Sequence, residues 1–553
     1  MVHHPTRGLV NRGLVLAAIA CCLLLQLHLV FVQPVNWDEF RFLGDVHAYS
    51  RGELSTPLLT FQVHLFGWLI GLGNEIDQVH AARVVMLALE GGTLLLIAAV
   101  ARRFFQRDAA AFAALAYVSF SFVLQHGASF RFDPIVTFLT MLAAWLLLRE
   151  SLRWAAVLGA GVSLAVAAIV TIKVALALPL FVAIALYRLA TSDDRRDAFV
   201  KLAAAAGSAL LSLALLYAWH VSTLARTPSG AAAAGLSSSY AKALRDIPFF
   251  PRLGYFLRAF EENPLHWLLL LLGISAVIGS LRTNRARSLL LLSFLLPLLS
   301  ILFYRNAFTY YYAFVMAPAA VLFAAAAARD ELKPLVGLGA VLLAGGAVYH
   351  HQRALSPDAA DQRRTVEAVH AMFPRPVAYI DRCSIIASFP QAGLFMSTWW
   401  FENYIAARRP VMRDLLISKH PVFVVVDSPL LSDALEGDSR SAAGAGLMPA
   451  DRETLRSNYV HQWGPIWIAG KQLALARAEQ QAEFLIPGGY VLEAAAPILF
   501  DAHAIVPGEI VQISAGEHMT AAQSGVQRIT FRWAAARPVR EKDAPRELGF
   551  GRF

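Results

Sequence analysis

Acidic and basic side chains stand at a few points of this sequence where little else is polar. Asn36-Trp37-Asp38-Glu39-Phe40 follows a long apolar run and sets two adjacent carboxylates at its end. Desolvation beside a low-dielectric wall raises a carboxylate's pKa, which suits it to take a proton from an attacking hydroxyl. The plainer reading is an acidic helix start, where Asp and Glu are also favoured. A second carboxylate lies in Arg131-Phe132-Asp133-Pro134, where Pro134 suits the first turn of a helix. Asp133 either caps that helix or borders one cavity with Asp38, the two then dividing base, metal and acceptor-orienting roles. Lys173, between two apolar runs in Thr171-Ile172-Lys173, either snorkels to lipid headgroups or neutralises a phosphate together with Arg131 and Arg305. Cations held there would stabilise the charge that builds up on a departing phosphate.

Two further residues are weaker candidates. Glu90, in Leu89-Glu90-Gly91-Gly92, sits well inside an apolar run, which makes it a functional candidate by position. It could equally hydrogen-bond a neighbouring helix, and it is the best argument for a transporter. His64, in Gln62-Val63-His64, is a weak candidate for a metal ligand with Asp38 or Glu39. No His/Cys/Asp cluster has metal-ligand spacing along the chain.

Membrane helices must position these groups. Of the 553 residues 57% are hydrophobic and 16% charged, against about 45–50% and 25% in a soluble domain. Apolar runs approaching the roughly 20 residues that cross a bilayer give about eleven spans, near 13–32, 78–101, 109–126, 134–149, 155–171, 174–190, 202–222, 265–281, 288–303, 310–328 and 334–350. The first continues too far to be a removable signal segment. Arg7/Arg12, Arg102/Arg103/Arg107, Arg149/Arg153, Arg188/Arg195/Arg196/Lys201, Arg282/Arg285/Arg287 and Arg329/Lys333 fall in alternate connections. The positive-inside rule then puts the N-terminus and these loops in the cytoplasm. It also accounts for the net charge of +9 without nucleic acid. Cys21 and Cys22 lie in the first span and Cys383 in the soluble part, a distribution that suits no internal disulfide.

All the long non-membrane segments fall on the opposite side, including everything beyond about residue 351. An enzyme elaborated on that face has no ready access to cytoplasmic nucleotide sugars or ATP. Its donor must already have been carried across. The soluble part, 354–553, opens with a helix-like stretch, Asp361–Met372, and two strand-like runs ending in acids, Pro376–Asp381 and Val422–Asp427. These suggest an α/β part over about 354–480. Alternating runs at Tyr490–Glu493, Ile505–Ile513 and Arg528–Trp533 suggest a β-rich part over about 484–540. Ser441–Gly446 reads as a surface loop. Trp399-Trp400 and Trp463/Trp467 could stack on sugar rings, though such residues also serve as core or rest on the membrane interface.

With these residues placed, the membrane half (13–350) resembles the GT-C glycosyltransferases, specifically the protein O-mannosyltransferase and lipid A aminoarabinose-transferase group, glycosyltransferase family 39 and its relatives. Trp37-Asp38-Glu39 is similar to the Asp-Glu motif of that family's first outer loop, Ala82-Arg83 to the entry of its second span, and Arg102-Arg103 to the exit. Arg131-Phe132-Asp133 resembles the Arg-x-Asp/Glu that opens the fourth span, and Thr171-Ile172-Lys173 a Thr-Lys-Gly-Pro turn. Tyr310-Tyr311-Tyr312 followed by Pro318 resembles an aromatic late span. The sequence departs from close relatives at Phe61-Gln62-Val63-His64, in place of Glu-Lys-Pro-Pro, and at Val174-Ala175, in place of Gly-Pro. Sugar, acceptor and metal use therefore do not carry over.

The expected fold is a polytopic α-helical GT-C-like membrane domain over residues 1–353 with a C-terminal extracytoplasmic α/β plus β-rich domain. The resemblance implies an inner-membrane enzyme moving a sugar from a polyprenyl-phosphate donor, such as one on undecaprenyl phosphate, to a lipid, polysaccharide or protein acceptor of the envelope. The transfer would invert the anomeric carbon. Asp38, Glu39 and Asp133 are the catalytic candidates; Lys173, Arg131 and Arg305 the phosphate-binding ones; Tyr310, Tyr311 and His64 border the cavity. A divalent cation is the one cofactor admitted. The rival readings are a transporter or lipid flippase, and a non-catalytic envelope assembly protein.

Overall fold

Each of the eleven apolar runs folds as helix, because backbone in lipid must satisfy its hydrogen bonds internally. The computed structural model describes residues 5–225, 249–392, 398–437, 446–476, 478–523, 525–540 and 544–545, with side chains from residue 11 and not at 398–400. The Trp399-Trp400 side chains, most of the Ser441–Gly446 stretch and residues 226–248 lie outside these described residues. Five helices are long and apolar enough to cross a membrane: Asn11–Val32, Glu75–Ala101, Ile172–Thr191, Arg195–Thr223 and Lys333–Ala354. Counting two bent pairs as single spans, Leu253–Glu262 with Pro264–Gly279 at 91° and Arg285–Ser293 with Leu296–Leu302 at 40°, raises this to seven. The chain is thus a multi-pass membrane protein; among the described residues five to seven helices pass this test, which leaves the expected count of about eleven spans unconfirmed.

Local chemistry accounts for the shortfall. The run 109–126 is two helices, Arg107–Val118 and Ser121–His126. Asn263 stabilises the break, its Oδ1 accepting the Ser121 N–H at 2.8 Å. The run 310–328 divides into Tyr311–Ala319 and Val321–Ala327 near Pro318, which has no N–H for the ladder. On helix Arg195–Thr223, Leu210 and Leu215 are 70% and 63% exposed. Apolar area on that scale faces lipid rather than water.

Helix Val336–Ala354 leads to helix Asp358–Met372 and then to eleven strands: β1 Tyr379–Ile380, β2 Phe423–Val425, β3 Tyr459–Trp463, β4 Ile466–Leu475, β5 Gln480–Phe484, β6 Gly488–Glu493, β7 Ile498–Phe500, β8 His503–Ile505, β9 Ile510–Ile513, β10 Gly516–Ala522 and β11 Gln527–Trp533. A seven-stranded sheet runs β1-β2-β4-β11-β6-β9, with β3 also on β4, and a four-stranded sheet runs β5-β10-β7-β8. β1 and β2 are parallel. The division expected near 480–484 is not a sheet boundary, because β11 pairs with β4 and carries the first sheet across it. The inward set Ile529 and Phe531, 2% and 0% exposed, fixes that register. The single run expected over Ile505–Ile513 is two strands, since Pro507 lacks an N–H and Gly508 takes φ +86°.

This lobe rests on the loop carrying Asp38. Gln362 brackets Val35, accepting its N–H at 2.8 Å and donating to its carbonyl at 2.9 Å. Gly44 on helix Trp37–Ser50 lies so close to the lobe that a Cβ there would stand 2.9 Å from Ser384 Cβ.

Candidate active site

The loop after the first span turns into a helix at Asn36, whose side chain accepts the Asp38 N–H at 3.0 Å while Glu39 Oε2 accepts the Asn36 N–H at 2.9 Å. This capping box sends the two neighbouring carboxylates in different directions. Glu39 is 1% exposed. Its Oε1 accepts Arg83 Nε at 2.8 Å and the Phe130 N–H at 2.7 Å, and Oε2 accepts Arg83 Nη2 at 2.5 Å. Arg83 spends its other donors on the carbonyls of Val30, Gln33 and Pro34. Glu39 therefore locks the first loop to helix Glu75–Ala101 and to the link before Phe132.

Asp38 turns outward. Its Oδ2 lies 2.6 Å from Arg131 Nη1, and its side chain keeps 30% exposure against 5% for Arg131. Arg131 Nε stands 3.7 Å from Asp133 Oδ2, and Lys173 Nζ donates to Asp133 Oδ1 at 2.8 Å. The Tyr310 ring lies under both cations, 3.5 Å from the Arg131 guanidinium carbon and 4.9 Å from Lys173 Nζ, with Tyr311 at 5.9 Å from the latter. Four different segments converge here. Arg131 ends an extended link, Asp133 is in the first turn of Phe132–Leu147, and Lys173 follows the extended Thr171, whose hydroxyl accepts the Lys173 N–H. Tyr310 precedes helix Tyr311–Ala319. Two carboxylates and two cations with one open corner, Asp38, can hold a proton and receive an anion in the same place.

Other sequence candidates lie elsewhere. Arg305 Nη2 bonds Glu402 of the soluble half at 2.8 Å. His64 Nε2 is 2.8 Å from His220 Nδ1 and its ring packs 4.2 Å from Trp219, so among the described residues it forms no three-ligand group with Asp38 or Glu39. Glu90 accepts from Tyr117 at 3.4 Å, while Tyr117 donates to the Ala313 carbonyl at 2.9 Å, a polar tie between helices. Trp463 is core, donating to the Arg540 carbonyl, and Trp467 is half-buried on β4.

Sequence reasoning missed what the strand-terminal acids do. Asp381 and Asp427 follow parallel β1 and β2, and with Cys383 they form the one group among the described residues whose metal-type ligand atoms all lie within 4.8 Å. The donors are already engaged. Asp427 accepts the backbone N–H groups of Arg382 and Cys383 and the Cys383 thiol at 3.0 Å. Asp381 accepts the Ser384 and Ile385 N–H groups and Gln391 Nε2. Burial pushes Asp427 up to about 6 and raises Asp381 well above the carboxylate range, with Asp427 adding to it. The set fits a proton-holding turn better than an open metal cage. Between these acids Arg382 reaches back to the membrane half, its guanidinium carbon 4.3 Å from the Trp37 ring. The runs ending in Asp381 and Asp427 were the available signal; nothing local pointed to Arg382.

The geometry can be set beside known proteins. Residues 63–221, the segment holding Arg83, Arg131, Asp133 and Lys173, match the family model described as dolichyl-phosphate-mannose-protein mannosyltransferase. The fold matches ArnT from Cupriavidus metallidurans bound to undecaprenyl phosphate, with TM-score 0.55 and 14% identity over 77% of this chain and 95% of that one. The apo state of the same protein matches at TM-score 0.51, 14% identity, 77% and 94%. This is the GT-C fold. An Archaeoglobus fulgidus oligosaccharyltransferase aligns at TM-score 0.48 and 12% identity over 96% of this chain and 98% of its own. No curated protein matches the chain significantly by sequence.

Proposed function

We propose that this GT-C protein is an inverting glycosyltransferase that takes its sugar from a polyprenyl-phosphate carrier and gives it to a lipid, polysaccharide or protein of the cell envelope. The observation that carries this reading is the open Asp38 carboxylate backed by buried Arg131, Asp133 and Lys173. Support comes from the mannosyltransferase match over residues 63–221 and from the undecaprenyl phosphate bound to ArnT. The protein would lie in the inner membrane with all eleven helical runs embedded to some depth, its N-terminus cytoplasmic and residues 354–553 as an extracytoplasmic domain.

In this mechanism the carrier enters from the bilayer and its phosphate takes up Lys173 and Arg131. Arg131 shifts its hydrogen bond from Asp38 to the phosphate, which frees Asp38. The acceptor oxygen attacks the anomeric carbon, its proton passes to Asp38, and the bond from that carbon to the phosphate oxygen breaks. The electron pair stays on the polyprenyl phosphate, where the two cations stabilise it. Attack opposite the leaving group inverts the carbon. Asp133 holds Lys173 in place, Tyr310 and Tyr311 wall the cavity, and Glu39 acts as a positioning residue through Arg83. No step is routed through a divalent cation, and Arg305 and His64 have no part in the step.

The test is comparative mass spectrometry of envelope lipids, polysaccharides and proteins from cells with wild-type protein, Asp38→Asn at matched expression, or none. One glycan mass lost equally in mutant and deletion supports the transferase and identifies sugar and acceptor. A deletion phenotype with a wild-type Asp38→Asn strain would instead favour transport or assembly.

A further inference from the structure

Every cation in the cluster behind Asp38 has a protein anion, and the guanidinium between the two halves does not. Arg131 has Asp38, Lys173 has Asp133 and Arg83 has Glu39. Arg382 is half-buried, yet among the described residues its side chain makes no ion pair, and its buried Nε has no hydrogen-bond partner. Its one side-chain contact of note is the face of Trp37, the residue beside Asp38. A desolvated guanidinium left with an aromatic platform and idle donors is costly unless something else uses it.

Its backbone is fixed with care: both Asp427 oxygens accept the Arg382 N–H, at 2.9 and 3.0 Å. The ionisable groups that act on its guanidinium are Asp427 and Cys383 beside it and Asp38 across the junction. The guanidinium stands on Trp37, the chain neighbour of Asp38, and is presented by the soluble half rather than by a membrane helix.

We propose that Arg382 is an anion-binding residue on the acceptor side, gripping a phosphate or carboxylate of the acceptor so that a nearby hydroxyl is set against Asp38. Arg suits this role because its planar fork pairs with two oxygens at once. The inference rests on the transferase reading. It narrows the acceptor to one with an anionic group close to the attacked hydroxyl.

The experiment uses the full chain in lipid nanodiscs, with membranes from a deletion strain as acceptor and undecaprenyl phosphate as the carrier probe. Arg382→Gln is expected to lower transfer at limiting acceptor by about 10- to 100-fold, with undecaprenyl phosphate affinity unchanged and partial recovery in Arg382→Lys. Inorganic phosphate should compete with acceptor in the wild type and lose that effect in Arg382→Gln. Wild-type transfer in Arg382→Gln overturns the proposal. So does a loss of carrier affinity equal to that of Lys173→Gln, or an equal loss in the Lys and Gln variants together with a lowered melting temperature, which marks a simple domain latch. If wild type and Asp38→Asn transfer alike, the transferase reading itself has failed.

Discussion

The cluster around Asp38 and the strand ends of the soluble half treat carboxylates in opposite ways. At the candidate site three acids each meet a side-chain cation: Glu39 meets Arg83, Asp38 meets Arg131 and Asp133 meets Lys173. In the soluble half Asp381 and Asp427 are surrounded by backbone N–H groups, a thiol and each other. Paired with cations, the first set can exchange partners when an anion arrives. Burial without an ion pair favours protons on the second set, which suits the holding of a turn. Residue type is the same; the neighbours decide whether an acid is chemical or architectural.

The sharpest way to break that comparison lies within one dipeptide. Asp38→Asn should lower turnover by roughly 10²–10⁴-fold and leave the melting temperature of the purified protein where it was, because this side chain is partly exposed. Glu39→Gln should do the reverse. It leaves Arg83 buried without its charge partner, at a cost of about 3–5 kcal/mol, read as a large drop in melting temperature or in folded yield. If the two variants lose activity and stability in parallel, the division between an open and a clamped carboxylate is wrong.

This division was only half legible in the sequence. Apolar runs, alternating basic loops and the acids Asp38 and Asp133 at span ends follow from local composition, and the helices stand where those runs are. The break at Ser119-Phe120 depends on Asn263, far along the chain, so periodicity alone reads through it. Asp38 and Glu39 look equivalent until Arg83 and the Phe130 N–H claim one of them. His64 was drawn away by His220, a partner 156 residues distant. Arg382 was invisible for the same reason, since its significance lies in Trp37 across the domain junction.

A smaller effect sharpens the membrane side. Lys173→Gln removes the cation closest to Asp133 and should weaken undecaprenyl phosphate binding by about 10- to 100-fold, the range for one hydrogen bond to a charged group. Binding to the full chain in nanodiscs would check it. A variant that binds as wild type does would make Lys173 a structural partner of Asp133 and leave Arg131 as the phosphate cation.

The smallest effect concerns the soluble half and pH. An ordinary unfolded Asp titrates near 3.9, whereas burial pushes Asp427 up to about 6, so the folded state holds this proton to higher pH than the unfolded chain does. Stability is therefore greatest below about pH 4 for this group and falls as pH rises to about 6, by roughly 1.4 kcal/mol for each pH unit between. Asp381, raised by burial and by Asp427, acts with the same sign and carries the loss further. Asp427→Asn stays neutral and keeps one acceptor oxygen, so its melting temperature should vary less over this window than that of the wild type. The opposite slope, with stability rising with pH and falling on addition of a chelator, would mean that a cation sits among Asp381, Cys383 and Asp427 and keeps them ionised. The strand-end acids would then follow the same rule as the cluster around Asp38, with a metal in the place of Arg131 and Lys173.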